Sequence, residues 1–335
     1  MPPLYIIHSK IESRWWTVNV HSEVELNRID AIASYFKELK RNIGKHKLLY
    51  ILVIPVILYY ILFHYAPMYG AVIAFKDFFP GRGIWGSPWV GFDHFIEFFT
   101  GIYFFRVVRN TLMINVLQLI FVFPFPIILA LMINEIYLIK YKKTVQTIIY
   151  MPHFISLIVI CGMVLDFTAR NGIVNDIIYF FGGERTNIMI NPAAFWPVHI
   201  VSDIWQTAGW GTIIYLAALA GVDQELYEAA RVDGAGRWRQ TLSITLPGIL
   251  PTIVIMLILR LGSMMHVGFE KIILLYNPMT FETADVISSY IYRRGLLEFN
   301  FGFSAAVGLF NSAINFSLLV MANAISRKVN DTSLW

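Results

Sequence analysis

Apolar residues in this chain gather into six runs long enough to cross a lipid bilayer, and that pattern dictates most of what it can fold into. A spanning helix needs roughly 20 mostly apolar residues. The qualifying runs cover approximately residues 48–68, 110–133, 145–167, 195–221, 248–269 and 303–325. Prolines at 55, 124, 126, 152 and 251 lie inside these runs or at their starts. Membrane helices tolerate them because neighbouring helices satisfy the backbone groups that proline frees. An all-α membrane protein with six transmembrane helices is therefore expected. The composition agrees: 57% of residues are hydrophobic and 14% charged, against roughly 25% charged in soluble domains.

The 26 Lys and Arg against 22 Asp and Glu leave a net charge of only +4. That is too small to suggest a nucleic-acid partner, and basic residues at membrane edges explain it. The single cysteine, Cys161, lies in an apolar run, which excludes an intrachain disulfide and reads as buried filler. The first 46 residues are mixed and polar, so the run beginning near Leu48 reads as a membrane anchor rather than a cleaved signal.

Basic residues crowd one set of helix ends: Lys37, Lys40, Arg41, Lys45 and Lys47; then Lys140, Lys142 and Lys143; then Arg231, Arg237 and Arg239; then Arg327 and Lys328. The opposite ends carry Lys76, Arg82, Arg106, Arg109, Arg170, Arg185, Lys271, Arg293 and Arg294, spread over longer loops. The positive-inside rule then places both termini and the 222–247 loop in the cytoplasm. Residues 1–46 read as a cytoplasmic tail and 47–330 as the transmembrane domain. Within the tail, Leu26, Ile29, Ile32 or Ala33, Phe36 and Leu39 recur at helical spacing. An N-terminal amphipathic helix at the membrane interface is expected over 26–41. The aromatic, glycine-rich stretch 69–106 reads as an interfacial anchor or as a docking surface for an outer partner.

The 222–247 loop carries the most local information. Asp223 suits the N-cap of a short helix running to about Val232, with Glu225 and Glu228 favoured by its dipole. Leu226, Ala229 and Ala230 form a narrow stripe that another surface could approach closely. Gly234 supplies a reversal, and Pro247 and Pro251 mark the return to the membrane. The product is a short helix lying off the membrane, small on one face and charged on the other. The plain alternative is a solvated connecting loop.

Glu228, Ala229 and Ala230, followed by Asp233, Gly234 and Ala235 and then by Ile244, Leu246 and Pro247, resemble the EAA loop of binding-protein-dependent ABC importer permeases. Further stretches extend the likeness over roughly residues 45–335. They include Val267-Gly-Phe-Glu-Lys271, Leu275-Tyr-Asn-Pro278, Glu282-Thr-Ala-Asp-Val286 and Ala306-Val-Gly-Leu-Phe-Asn-Ser312, with His64-Tyr-Ala-Pro-Met-Tyr-Gly70 near the start. These resemble the sugar-uptake branch associated with complex oligosaccharides. The resemblance implies a type I ABC importer permease architecture in a bacterial cytoplasmic (inner) membrane. It also implies a coupling helix that inserts into a cytoplasmic ATPase. Glu228 would pair with a basic group there, Ala229 and Ala230 would give close contact and Gly234 the turn, with Asp233 also in the coupling set. The implied partners are a second homologous permease, two ATPase subunits, an extracytoplasmic sugar-binding protein and the oligosaccharide itself.

The chain has no Gly-x-x-x-x-Gly-Lys-Ser/Thr loop, so ATP hydrolysis is expected from a separate polypeptide. No catalytic residue, cofactor or metal site is expected; the histidines are scattered and lack HExxH spacing. That leaves a membrane-embedded glycan-processing enzyme without its chemistry. An ion-coupled secondary transporter is the other alternative; it would need a paired intramembrane acid and leaves the EAA-like loop unexplained.

Polar groups within spans face partner helices or a water-filled path. Trp205, Gln206 and Trp210, near Asp203, suit sugar stacking and hydroxyl recognition, or else helix packing. Asn311 and Asn315 share a face and read as interhelical contacts or as pathway lining. Ser304, Gly308 and Ser312 read as a close-packing seam. Arg260 reads as one half of a structural ion pair, with Asp166 or Asp203, rather than as a substrate contact. Glu270 and Lys271 are read as solvated at the outer end.

Overall fold

The computed structural model describes residues 41–42, 44–265 and 268–330. The amphipathic helix expected over 26–41 falls, apart from Arg41, outside the described residues. The chain divides after Gly70 into two units. In the first, α1 (Lys47–Tyr60) holds Pro55 inside it and passes through a π turn (Ile61–Tyr65) into a short helix at Ala66–Met68. This matches the first expected run.

The second unit begins at Ala71 and, after a one-turn helix at Gly83–Gly86, reaches α2 (Asp93–Thr100). Then α3 (Phe104–Leu117) continues through a π turn (Gln118–Val122) into α4 (Pro124–Asn134), a single rod of 31 residues. Next come α5 (Ile139–Tyr150), α6 (Leu157–Thr168), α7 (Ile173–Phe180) and the 29-residue α8 (Pro192–Ala220). The loop helix α9 (Gln224–Val232) precedes α10 (Arg237–Gln240), which joins α11 (Leu246–Gly262) through a π turn at Thr241–Thr245. The outer segment holds α12 (Phe269–Leu275), α13 (Phe281–Ala284) and α14 (Ile287–Tyr292), and α15 (Phe301–Asn330) closes the chain. Among the described residues the only β pairing is an isolated bridge between Lys76 and Trp89.

Among the described residues three of the four π turns end within two residues of a proline: Pro67, Pro124 and Pro247. Proline has no N–H to donate and its ring presses on the preceding turn. Widening that turn to the π register relieves both problems without ending the helix. This is why the fifth expected span, 248–269, is displaced. The helix already runs from Arg237 and ends at Gly262, with Pro247 absorbed inside it.

Two further expectations need correction. The third span, 145–167, is not continuous. Pro152 opens a 3₁₀ turn (Met151–Phe154), and Ile155 and Ser156 are extended, so the apolar stretch able to cross is Leu157–Phe180. Among the described residues five helices are long and apolar enough to span. The fourth expected span, now α8, has the length, but His199, Asp203, Gln206 and three tryptophans leave it short on apolarity. The apolar runs found it; its polar content reflects what it packs against.

Core side chains fall into three patches. Ile114, Cys161, Phe195, Ile272 and Leu275 join α3, α6, α8 and α12. Phe98, Val107, Ile287 and Phe303 join α2, α3, α14 and α15. Ile127, Ala130, Tyr215, Leu219 and Ile249 join α4, α8 and α11. At Gly209 the backbones of α8 and α5 touch: a Cβ there would lie 1.8 Å from the Ile149 carbonyl oxygen. The seam expected at Ser304, Gly308 and Ser312 does not hold as a unit. Ser304 is buried and bonded to the Ile291 carbonyl at 3.0 Å, but nothing lies within 4 Å of a Cβ at Gly308, and Ser312 is exposed.

Candidate functional site

The helix α9 forms where the sequence places it and is capped at both ends. Asp223 accepts from the Glu225 N–H at 2.9 Å, satisfying a first-turn donor. At the other end Gly234 sits at φ +76°, a conformation only glycine adopts cheaply. Gly234 N–H donates to the Arg231 carbonyl (3.0 Å) and Ala235 N–H to the Ala230 carbonyl (2.8 Å), the paired bonds of a Schellman stop.

The loop is also tied down. Tyr227 bonds Thr245 at 2.9 Å, and the Gln240 amide donates to the Ala235 carbonyl at 2.7 Å. Arg237 pairs with Glu135 at 3.0 Å and lies over the Tyr137 ring. A hollow of about 620 Å³ separates α9 from the end of α4, lined in part by Asn134, Glu135, Tyr227, Arg231 and Arg237. What the helix leaves outward is Leu226, Glu228, Ala229, Asp233 and Gly234, all exposed, with Ala230 half-buried. Val232 and Trp238 are more than 80% exposed beside them. Among the described residues Glu228 has no ion-pair partner. A rigidly mounted helix thus shows a small apolar patch and a free carboxylate.

A second constellation lies inside the spans. Lys271 is buried, not solvated at an outer end as expected from its position. Its ammonium donates to Asp203 Oδ1 at 3.0 Å and reaches Gln206 Oε1 at 3.4 Å. Asp203 Oδ2 accepts from the Gln118 amide at 2.7 Å. Arg260 does not pair with Asp166 or directly with Asp203; its guanidinium donates to the Gln118 oxygen, so the amide relays between them. Gln118 opens the π turn of the α3–α4 rod. The network therefore ties that rod to α8, α11 and α12. Burying a charge without a partner costs several kcal/mol, which accounts for this dense pairing. His199, one turn before Asp203, stacks on Phe195 and is buried, with no hydrogen-bond partner on either ring nitrogen.

The other candidate pathway residues do not converge on one cavity. Trp205 is half-exposed on the rim of two apolar hollows. Trp210 stacks on His153 at 4.5 Å. Asn315 accepts from the Met265 N–H at 2.7 Å, while Asn311 is buried with an unpartnered carbonyl oxygen.

A third cluster was not anticipated. Asp285, fully buried, accepts from Ser289 at 2.9 Å, from Arg293 at 2.7 and 3.2 Å, and from Arg106 at 3.3 Å. Arg294 pairs with Glu97 (2.9 Å) and Glu298 (2.6 Å). Burial pushes the Tyr290 phenol above its ordinary pKa, with Arg294 opposing. Arg106 and Asp285 are 179 positions apart, so no local pattern could have joined them.

Apolar spanning helices with an outward-facing loop helix define a multi-pass membrane protein. Residues 98–331 match the family of binding-protein-dependent transport system inner membrane components, and the chain belongs to it. It is 43% identical over 318 residues to the polygalacturonan/rhamnogalacturonan transport system permease protein YteP of Bacillus subtilis (strain 168), covering 94% of this chain and 99% of that one. Its fold matches the crystal structure of a bacterial ABC transporter involved in the import of the acidic polysaccharide alginate. The TM-score is 0.82 at 44% identity, over 88% of this chain and 99% of that one. A bacterial alginate ABC transporter in complex with an alginate pentasaccharide-bound periplasmic protein matches with a TM-score of 0.81, at the same identity and coverage. The resemblance read from the EAA-like loop is borne out at the level of family and fold.

Proposed function

We propose that this chain is one transmembrane subunit of an ATP-driven oligosaccharide importer, coupled through α9 to a separate ATPase. The observation that carries the reading is the mounting of α9: capped, stopped and bonded to the bundle on one side, with Glu228, Ala229 and Leu226 outward on the other. A helix held this way moves with the spans, so displacement of a docked ATPase reaches α8 and α11 as rigid-body motion. A second homologous permease, two ATPase subunits and an extracytoplasmic sugar-binding protein complete the complex. The alginate transporter solved with a pentasaccharide-bound periplasmic protein supports the last of these. The names of the polygalacturonan and alginate relatives support an oligosaccharide substrate. The chain itself does no chemistry on the sugar. The density of basic residues near α5, α9 and the end of α15 supports both termini and α9 lying in the cytoplasm of a bacterial inner membrane. Uptake into inverted and right-side-out vesicles tests this: it should require ATP on the α9 side and persist when ion gradients are collapsed. Uptake driven by an ion gradient without ATP would replace the importer reading with a secondary transporter.

A further inference from the structure

We infer that the arginine-walled hollow around Arg106, Arg293 and Arg294 receives the carboxylate of a uronic-acid oligosaccharide. This rests on the importer reading and narrows its substrate.

The position of the hollow fits a reception site. The α3–α4 rod has 31 residues, about 46 Å at 1.5 Å per residue and longer than the roughly 30 Å hydrocarbon core. Tyr103 and Arg106 at its first end line this hollow of about 470 Å³, and Asn134 and Glu135 at its last end line the hollow beside α9. The two open on opposite membrane faces. If α9 meets the ATPase, the arginine hollow faces the side from which sugar arrives. Its volume falls within the about 300–1,000 Å³ typical of small-ligand sites.

The chemistry of the wall is that of a carboxylate receptor. Asp285 is shared by two guanidiniums, so it fixes Arg106 and Arg293 from behind without neutralising both. Aromatic rings brace each group: Tyr103 lies 4.5 Å from Arg106, Phe281 4.9 Å from Arg293, and Phe303 5.0 Å from Arg294. A guanidinium held in place offers parallel N–H groups that match a carboxylate. Each of the three side chains keeps a fifth to a third of its surface accessible: 29%, 20% and 28% for Arg106, Arg293 and Arg294. Arg294 lies over Phe303 and pairs with Glu97 and Glu298, which are 48% and 45% exposed and themselves line the hollow. Solvent reaches the two carboxylates and screens these pairs in part, so an incoming carboxylate competes with them for Arg294. Tyr103 and Tyr290 supply ring faces for the apolar side of a sugar and hydroxyls for its polar edge.

The test uses the assembled permease–ATPase complex in detergent, without binding protein. Binding of trigalacturonate and of galactotriose, its carboxyl-reduced counterpart, is measured by calorimetry. Wild type should bind trigalacturonate the more tightly. Arg294→Gln should weaken trigalacturonate by about tenfold, as expected for one charge-assisted contact, and leave galactotriose unchanged. Arg294→Lys, which keeps the charge, should restore part of the loss. Equal affinity in wild type and Arg294→Gln would overturn the inference, as would a parallel loss for both sugars, which would mark Arg294 as structural or lipid-facing. ATP-driven uptake of a neutral sugar with no trigalacturonate binding would overturn this site and leave the importer reading standing. No ATP-driven uptake of either sugar would bring down both.

Discussion

Replacing Lys271 with methionine isolates the intramembrane network. The Lys271–Asp203 pair is 3.0 Å apart, with side chains 6% and 16% exposed. At an effective dielectric near 20, two unit charges at that distance attract by about 5.5 kcal/mol. Measured losses on breaking a buried pair are about 3–5 kcal/mol, because the abandoned charge keeps its desolvation penalty. Gln118 still donates to the other Asp203 oxygen, which favours the lower end. The expected loss for Lys271→Met is therefore about 3 kcal/mol, roughly a hundredfold in the folding equilibrium. Adding Asp203→Asn removes the orphaned charge and should return stability to within about 1 kcal/mol of wild type. The assay is unfolding by SDS titration in mixed micelles, followed by tryptophan fluorescence, run as a double-mutant cycle. If the single and double variants are equally destabilised, the two groups are not coupled and the network has been misread.

Three other outcomes are expected. Gly209→Ala should sharply reduce the folded protein recovered from membranes, since its Cβ would meet the Ile149 carbonyl at 1.8 Å, while Gly308→Ala, with nothing within 4 Å, should behave as wild type; fluorescence-detected size exclusion reads both. Gly234→Ala forces a side chain into φ +76°, at about 1–2 kcal/mol, and should loosen the stop of α9; sugar-stimulated ATPase activity of the complex should fall while membrane insertion stays normal. Trp205→Ala should alter relative uptake of different sugars, and unchanged kinetics across a panel would return Trp205 to packing.

What the sequence disclosed follows the range of the forces involved. Hydrocarbon length is local, so the runs at 48–68, 110–133 and 303–325 appear as helices with ends shifted by a few residues. Helix capping is local too, so Asp223, Gly234 and the extent of α9 could be read directly. The break at Ile155 and Ser156 was not readable, because Pro152 is compatible with a kinked helix as well as with an interrupted one. Prolines were misjudged in the other direction at 247, where a π turn carries the helix past it. Ion pairing escaped because it is settled by packing between distant segments. Lys271 finds Asp203 across 68 positions and Arg293 shares Asp285 with Arg106 across the bundle. The sequence offered the charged residues but not their partners.

The central claim is that α9 is the contact through which a separate ATPase drives this permease. The most direct measurement is affinity purification of the chain from native membranes in mild detergent, wild type beside Glu228→Lys, with all co-purifying polypeptides identified. The wild type should bring down an ATP-binding-cassette protein and a second permease, and the charge reversal should lose the ATPase while retaining the permease. Recovery of the ATPase in equal amount with Glu228→Lys would contradict the assignment of α9.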